Sequence, residues 1–177
     1  MHTGCTPESS TAQTVDWDLV TRRLRRFGMA LTGHTQEAED LAQQAIAQVL
    51  TRAPHLADHA GFGRMVITRL WLDQQRSMRR RWKRALASAT AAVASLAPRP
   101  APVEINEQTQ LLRRAIEALP ARQRAAVTLR LIEGLEYPAI AQAMQCDVGT
   151  VRATLHLART KLRNALERTD HAGTPTP

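Results

Sequence analysis

The sequence reads YPAIAQAMQCDVGTVRATLHLARTKL from residue 137 to residue 162, and this stretch predicts two helices joined by a short turn. Pro138 is tolerated in the first turn of a helix. The inward positions of that helix are Ile140, Ala141 and Met144. Along the second helix apolar residues recur at helical spacing, at Val151, Leu155, Ala158 and Leu162. Two helices separated only by Gln145-Cys146-Asp147 form a helix-turn-helix.

The early positions of the second helix are polar or small. In a DNA-binding helix-turn-helix these positions lie on base edges in the major groove. Arg152 is the best candidate for such a contact, because a guanidinium can bond guanine with two hydrogen bonds. Arg159 is better placed for the DNA backbone or solvent. Helical hairpins without DNA affinity show the same periodicity, so the pattern leaves both interpretations open.

The rest of the chain also favours helices. Aromatic residues make up only 3% of the sequence, and valine and isoleucine rarely alternate with polar residues, so strands have little support. A first helix with Trp17, Val20, Leu24, Phe27 and Leu31 on one stripe should end at Gly33. Thr35 can cap a second, whose stripe is Leu41, Ala42, Ala45, Ile46, Val49 and Leu50. Further helices are predicted over 62–84, from about 104 to 119, from 120 to 134, and from 148 to 166.

Three closely spaced prolines divide the chain. Pro98, Pro100 and Pro102 cannot continue a helix, and they follow an alanine-rich segment. We therefore predict an all-α fold of two small helical domains, 15–97 and 104–168, joined by a flexible Ala/Pro-rich linker at 98–103. The segments 1–14 and 169–177 are predicted to be disordered tails.

Basic residues are concentrated in one stretch. The chain has 24 Lys and Arg residues against 16 Asp and Glu, a net charge of +8. Residues 74–103 contain no acidic side chain, but they include Arg76, Arg79, Arg80, Arg81, Lys83 and Arg84. Such a run suits phosphate binding, since neutralised phosphates release their counterions. A solvated helix face or a disordered basic arm would have the same composition.

Several classes of protein are disfavoured. The apolar runs are too short to span a membrane, and no hydrophobic signal segment follows Met1, so we expect a cytoplasmic protein. The sequence lacks a phosphate-binding glycine loop, a nucleophile elbow and a zinc-type cysteine pair, so we predict no enzymatic activity, catalytic residue, cofactor or metal. His55 and His59 have ligand spacing without a third ligand. Cys146 is expected to be a small buried residue of the turn rather than a redox sensor.

Two motifs together resemble a known family. The second half contains Ala118-Leu119-Pro120, Arg124, Leu129-Arg130, Glu133-Gly134-Leu135-Glu136-Tyr137, Ile140-Ala141 and Gly149-Thr150-Val151-Arg152. This set closely resembles the fourth region of bacterial RNA polymerase sigma factors of the extracytoplasmic-function class. The first half contains Ala38-Glu39-Asp40-Leu41-Ala42-Gln43, which resembles the helix that docks on the polymerase clamp. Leu70-Trp71-Leu72-Asp73 with the arginines after it resembles the family's promoter-melting helix.

The resemblance implies partners and site residues. Contacts to the clamp coiled coil of the largest polymerase subunit would be made by Asp40, Gln43 and Gln44. The minus-ten region of promoter DNA would be opened and held by Phe62, Arg69, Asp73, Arg76, Arg79 and Arg80. The minus-thirty-five region would be read by Thr150, Arg152, Ala153, Thr154, His156 and Arg159. The domain 104–168 would also bind the flap of the second-largest subunit of core RNA polymerase, and an anti-sigma factor is an expected partner.

Some positions depart from the family pattern. Arg69 stands where asparagine is usual, and Phe62 stands near the usual tryptophan, so base choice in the minus-ten region should be unusual. Thr154 and Leu157 replace positions that are often arginine, so the minus-thirty-five contact should be less electrostatic than usual. We expect Leu157 to be a packed core residue; an exposed Leu157 would instead face an inhibitory partner. Two other classes remain open: a free-standing helix-turn-helix regulator, which leaves the Asp40 to Gln44 motif without a purpose, and a helical adaptor whose basic run meets an acidic partner.

Overall fold

The computed structural model describes residues 15–53, 55–88 and 107–172, and within them the chain is helical without strands. The helices are α1 (Trp17–Thr32), α2 (Thr35–Arg52), α3 (His59–Ser88), α4 (Glu107–Glu117), α5 (Ala121–Val127), a π-helix (Thr128–Ile132), α6 (Tyr137–Met144) and α7 (Val148–Ala172). The predicted all-α fold is confirmed. The predicted linker 98–103 and the N-terminal tail lie outside the described residues, whereas α7 extends to Ala172, into the predicted C-terminal tail.

The boundaries of α1 are set by local chemistry. The Asp16 carboxylate accepts a hydrogen bond from the Leu19 amide at 2.8 Å and caps the start of the helix. Gly33 ends it with a φ of 79°, as predicted, in the left-handed conformation that glycine adopts most easily. The predicted Thr35 cap is wrong: His34 occupies the cap position of α2 without a side-chain cap bond. The Thr32 hydroxyl instead accepts from the His34 amide at 3.1 Å, which fixes the turn.

The first three helices pack into a bundle. Leu24 and Phe27 of α1, Leu41 of α2, and Ile67 and Trp71 of α3 are almost completely buried. The predicted stripe of α2 is confirmed at Ala42, Ala45 and Val49, which are buried as well. It is wrong at Leu50, whose exposed fraction is 50%. Within the described residues, no helix is long and apolar enough to cross a membrane.

The second half ends in the predicted helix-turn-helix. Gln145 takes a left-handed φ of 51° between α6 and α7, which makes the tight turn. The predicted inward residues of both helices, Ile140, Ala141, Met144, Val151, Leu155, Ala158 and Leu162, are buried. The helix predicted from 120 to 134 is instead split at Thr128, where the backbone changes to π-helix before Gly134.

Leu157 does not belong to the core. Its exposed fraction is 53%, so the expectation of a packed leucine is wrong. The reason is helical phase: Leu157 is two residues after the buried Leu155, which turns its side chain about 200° around α7. It lines a cleft with Leu72 of α3.

The two halves share one hydrophobic core. Trp71 of α3 is buried, and the guanidinium of Arg124 from α5 lies over its ring at 5.5 Å. Arg124 also donates to the Leu31 carbonyl at the end of α1 at 3.4 Å. The helices α5 and α6 both pack on α3. The arrangement of the two predicted domains is therefore closed.

Trp71→Ala should destabilise the protein strongly, because it removes a large buried ring that both halves contact. We expect the free energy of unfolding to fall by about 3–5 kcal/mol. Trp82→Ala on the same helix is the matched control, since Trp82 is 53% exposed and should change stability by no more than about 0.5 kcal/mol. Urea unfolding followed by circular dichroism measures both, and equal effects would contradict the shared core.

Candidate nucleic-acid and protein interfaces

The outer face of α2 is polar and open. Asp40, Gln43 and Gln44 are all exposed, and their spacing of three and four residues places them on one side of the helix. The amide of Gln36 donates to the Asp40 carboxylate at 3.2 Å. Glu39, beside this face, forms an ion pair with Arg25 of α1. The three predicted polymerase-binding side chains therefore lie together on one surface.

The second half of α3 is a cationic surface. Arg76, Arg79 and Arg80 are exposed there, and so are Arg81, Lys83 and Arg84. Arg76 pairs with Asp73 at 3.0 Å, so the acidic residue of the predicted minus-ten set holds a neighbouring arginine in place. Trp82 lies exposed among these charges, where an indole ring can stack on a base.

The first half of α3 is covered by the helix-turn-helix. Arg69 is partly buried and donates to the backbone carbonyl of Gln142 in α6 at 3.1 Å. Phe62, also partly buried, lines a cleft of about 300 Å³ whose opposite wall includes Ala139 and Ala143. The predicted minus-ten residues are thus divided: four are exposed on the cationic surface, while Phe62 and Arg69 face α6.

The start of α7 is capped by its own side chains. Asp147 accepts from the Thr150 amide at 2.7 Å and from the Thr150 hydroxyl at 2.6 Å. These bonds lower the pKa of the Asp147 carboxyl below its ordinary value of 3.8. The hydroxyl of Thr150 is therefore used to hold the helix end.

The other predicted reading positions of α7 fall into two groups. Arg152, Ala153, His156 and Arg159 are exposed. Thr154 instead lines a cleft of about 420 Å³ together with Leu157, and Arg76 and Arg79 of α3 line the same cleft. The exposed group is the surface that can enter a major groove.

Two contacts were missed by sequence reasoning. Arg64 of α3 pairs with Glu133 at 3.0 Å, and the exposed fractions of the two side chains are only 17% and 15%. Arg130 donates to the Leu135 carbonyl at 2.9 Å and to Glu136 at 2.8 Å, which fixes the loop before α6. The first contact joins residues far apart in sequence, so no local pattern could reveal it.

The histidine pair does not form a metal site in the structure. His55 is exposed, whereas His59 is buried with its ring edge-on to Trp17, the centroids 5.2 Å apart. Across the described parts of the chain, no three His, Cys, Asp or Glu side chains are grouped in a way that could hold an ion. Cys146 is partly buried in the turn.

Comparison with known proteins matches both halves. Residues 109–162 match the family model for Sigma-70, region 4. The chain is 32% identical over 161 residues to the ECF RNA polymerase sigma factor SigE of Mycolicibacterium smegmatis, covering 86% of this chain and 62% of that one. It is 44% identical over 62 residues to the ECF RNA polymerase sigma-E factor of Escherichia coli K12, covering 35% and 32%. The chain therefore spans less than two thirds of either relative.

A solved structure extends the similarity over most of the fold. The sigma factor RpoE of Bartonella quintana, crystallised with the anti-sigma factor NepR, superposes with a TM-score of 0.62 at 26% identity. The match covers 86% of this chain and 94% of that one, so it includes both halves.

The Asp147 cap should make stability depend on acid pH. Its folded pKa is lowered, so its contribution is complete above the unfolded pKa of about 3.8 and is lost as pH falls through the folded value. We expect Asp147→Ala to lower the melting temperature at pH 7 and to have a smaller effect at pH 2 to 3. Thermal unfolding across this range, with the exposed Asp18→Ala as control, measures the difference; a pH-independent effect would contradict the charged cap.

Proposed function

The chain belongs to the extracytoplasmic-function class of the sigma-70 family, and on this basis we propose that it binds core RNA polymerase and directs promoter-specific transcription initiation. The observation that carries the proposal is the exposed polar face of α2, formed by Asp40, Gln43 and Gln44. In this proposal the face contacts the clamp coiled coil of the largest subunit. A free-standing helix-turn-helix regulator would have no use for it.

The promoter would be bound at two places. The exposed residues Arg152, Ala153 and His156 of α7 would read the minus-thirty-five region in the major groove. The cationic surface of α3 would bind the minus-ten region, with Phe62 and Arg69 at the opened strand. Unstacking a base costs a few kcal/mol, which cationic side chains and an aromatic ring can offset.

The protein would have no chemistry of its own in this role. The polymerase would supply catalysis, and the chain would supply promoter choice and assist melting in the cytoplasm, where the polymerase acts. The helix-turn-helix half would also contact the flap of the second-largest subunit.

An anti-sigma partner is part of the proposal. The Bartonella quintana relative was crystallised with such a protein. Here the support is exposed apolar side chains at two places in the closed fold. Leu157 is 53% exposed in the cleft beside α3. Leu112 and Ile132 are 41% and 40% exposed and line a second cleft. An inhibitor that covered Leu157 would sit beside the reading face of α7.

Removing the polar face of α2 should weaken polymerase binding. We expect the double variant Asp40→Ala, Gln43→Ala to bind purified bacterial core RNA polymerase at least about tenfold more weakly, equivalent to about 1.4 kcal/mol. The double variant Asp18→Ala, Gln74→Ala is the control, because it removes the same two side-chain types from exposed positions on α1 and α3, outside this face. Fluorescence anisotropy measures the affinities. Absence of binding by the folded wild type would refute the sigma-factor function.

Arg152→Ala should change promoter preference. If Arg152 bonds a base edge, specific binding falls by about 1–3 kcal/mol and preference relaxes at one promoter position. The control is Arg163→Ala, which removes another exposed arginine from the later part of α7, where it lies 3.9 Å from Glu167. Selection from a randomised promoter library with the reconstituted holoenzyme measures preference. Uniform weakening across all sequences would make Arg152 a phosphate contact.

A further inference from the structure

The second half of α3 carries an apolar stripe that is open to solvent. Met78, Trp82 and Leu86 follow one another at steps of four residues, so they fall within about 80° of the helix circumference. Their exposed fractions are 52%, 53% and 77%. Burial along α3 ends at Leu72, and none of residues 73–86 is buried in the part of the chain that the structure describes. Three large apolar side chains are therefore aligned on a helix that has left the core.

The stripe continues the core-facing side of the same helix. Met78 follows the buried Trp71 by about two helical turns, so the two residues lie on nearly the same side of α3. In the first half of the helix this side packs on α1 and α2. Single apolar residues on a surface need no explanation, but an aligned stripe that persists beyond the core indicates a partner.

Cations border the stripe on both sides. Residues 74–88 contain no acidic side chain, and Asp73 just before them is paired with Arg76. The basic residues follow the helix on either flank of the stripe, Arg79 and Lys83 on one side and Arg81 and Arg84 on the other. The surface therefore combines an apolar line with an excess of positive charge along its whole length.

This combination restricts the chemistry of the partner. A second copy of the chain would bring the same positive charge against the surface and would be repelled. A nucleic acid would neutralise the cations and stack on Trp82, but its backbone offers nothing apolar to Met78 and Leu86. An anionic lipid surface offers both kinds of contact. Its phosphates suit the cations, its acyl chains suit the stripe, and tryptophan is enriched at the boundary between them.

We propose that residues 76–86 of α3 dock the protein on an anionic lipid bilayer. Met78, Trp82 and Leu86 insert below the headgroups, and the flanking cations bind the headgroup phosphates. The helix lies in the plane of the surface and does not span it, because basic residues occupy most of the rest of its circumference. This docking goes beyond the proposed promoter contact, which uses some of the same cations, so a lipid-bound molecule does not offer them to DNA.

Vesicle flotation tests the docking. The probes are vesicles of equal parts phosphatidylglycerol and phosphatidylcholine, compared with vesicles of phosphatidylcholine alone. The wild type should bind the anionic vesicles at least about tenfold more tightly than the neutral ones. The double variant Arg81→Gln, Lys83→Gln should bind the anionic vesicles about thirtyfold more weakly, because each basic residue near such a surface contributes about fivefold.

Loss of the stripe separates insertion from charge attraction. The double variant Met78→Gln, Leu86→Gln keeps the net charge and the helix propensity, and it should weaken binding to the anionic vesicles by about tenfold or more. The matched control is Leu50→Gln, Leu131→Gln. It removes two leucines that are 50% and 60% exposed on other helices, and it should leave vesicle binding unchanged. Circular dichroism checks that both variants fold.

Trp82 reports insertion directly. Trp71 is buried, and Trp17 packs on His59, so Trp82 is the indole that can enter the lipid without unfolding of the core. Lipids with brominated acyl chains quench the fluorescence of an indole that reaches them. The wild type should be quenched by anionic vesicles that contain such lipids, and Trp82→Phe, which keeps an aromatic ring in the stripe, should bind them without this quenching.

The outcomes decide the proposal. Binding to anionic vesicles that is weakened in both the charge variant and the stripe variant, together with quenching of Trp82, supports docking on lipid. Full binding by the stripe variant, or an unquenched Trp82, would reduce the contact to charge attraction and overturn the docking. Absence of vesicle binding would also overturn it, and weaker binding of single-stranded DNA by the stripe variant would then assign the stripe to nucleic acid. Polymerase binding through Asp40 and Gln43 is measured separately, so failure of the docking is distinguishable from failure of the sigma-factor function.

Discussion

The contact between Trp71 and Arg124 is the constraint on which the relation between the two halves depends. The indole is buried in the centre of α3, and the guanidinium from α5 lies over it at 5.5 Å. Arg124 also donates to the carbonyls of Leu31 and Glu117, so one side chain joins α1, α3, α4 and α5. A cation over an aromatic ring contributes about 0.5–1 kcal/mol when exposed and about 2 kcal/mol when desolvated, and Arg124 is partly buried.

Burying the guanidinium of Arg124 against Trp71 also costs free energy. Burial lowers the pKa of Arg124, and the nearby carboxylates of Glu117 and Glu37 counter only part of this shift. Each buried Nε without a partner costs about 1–3 kcal/mol, and three arginines at the junction have one. The apolar contacts of Trp71 and Phe62 therefore hold together an interface whose polar part is poorly satisfied.

Local features of the fold could be predicted from the sequence, whereas the contacts between the two halves could not. Apolar spacing located α1 and the inward faces of α6 and α7, because a helical stripe repeats within a few residues. Gly33 marked a helix end because its left-handed backbone favours glycine. The Thr35 cap failed because Thr35 is already the first residue of α2 and His34 occupies the cap position, while the Thr32 hydroxyl fixes the turn before it.

The candidate site residues divide in the same way: some are positioned by a single helix, and others by contacts between the two halves. The face of Asp40, Gln43 and Gln44 is a property of one helix, so the exposed arrangement follows from spacing alone. Cover of Phe62 and Arg69 requires α6 to meet α3, and the Arg64–Glu133 pair joins positions 69 residues apart. Nothing in either segment specifies that meeting, because a basic residue on a helix face is equally compatible with solvent, nucleic acid or a carboxylate.

The preference for arginine fits the different partners that basic side chains have where the two halves meet. Only Lys83 and Lys161 among the 24 basic residues are lysine. A guanidinium is planar, weakly hydrated and able to bond a carboxylate, a carbonyl or a phosphate, or to stack on a ring, whereas an ammonium is a strongly hydrated point charge. At the junction Arg64 meets a carboxylate, Arg69 a carbonyl and Arg124 an indole. DNA offers phosphates, base carbonyls and aromatic faces, so the exposed arginines of the cationic surface can use the same bonding modes in the proposed promoter contact.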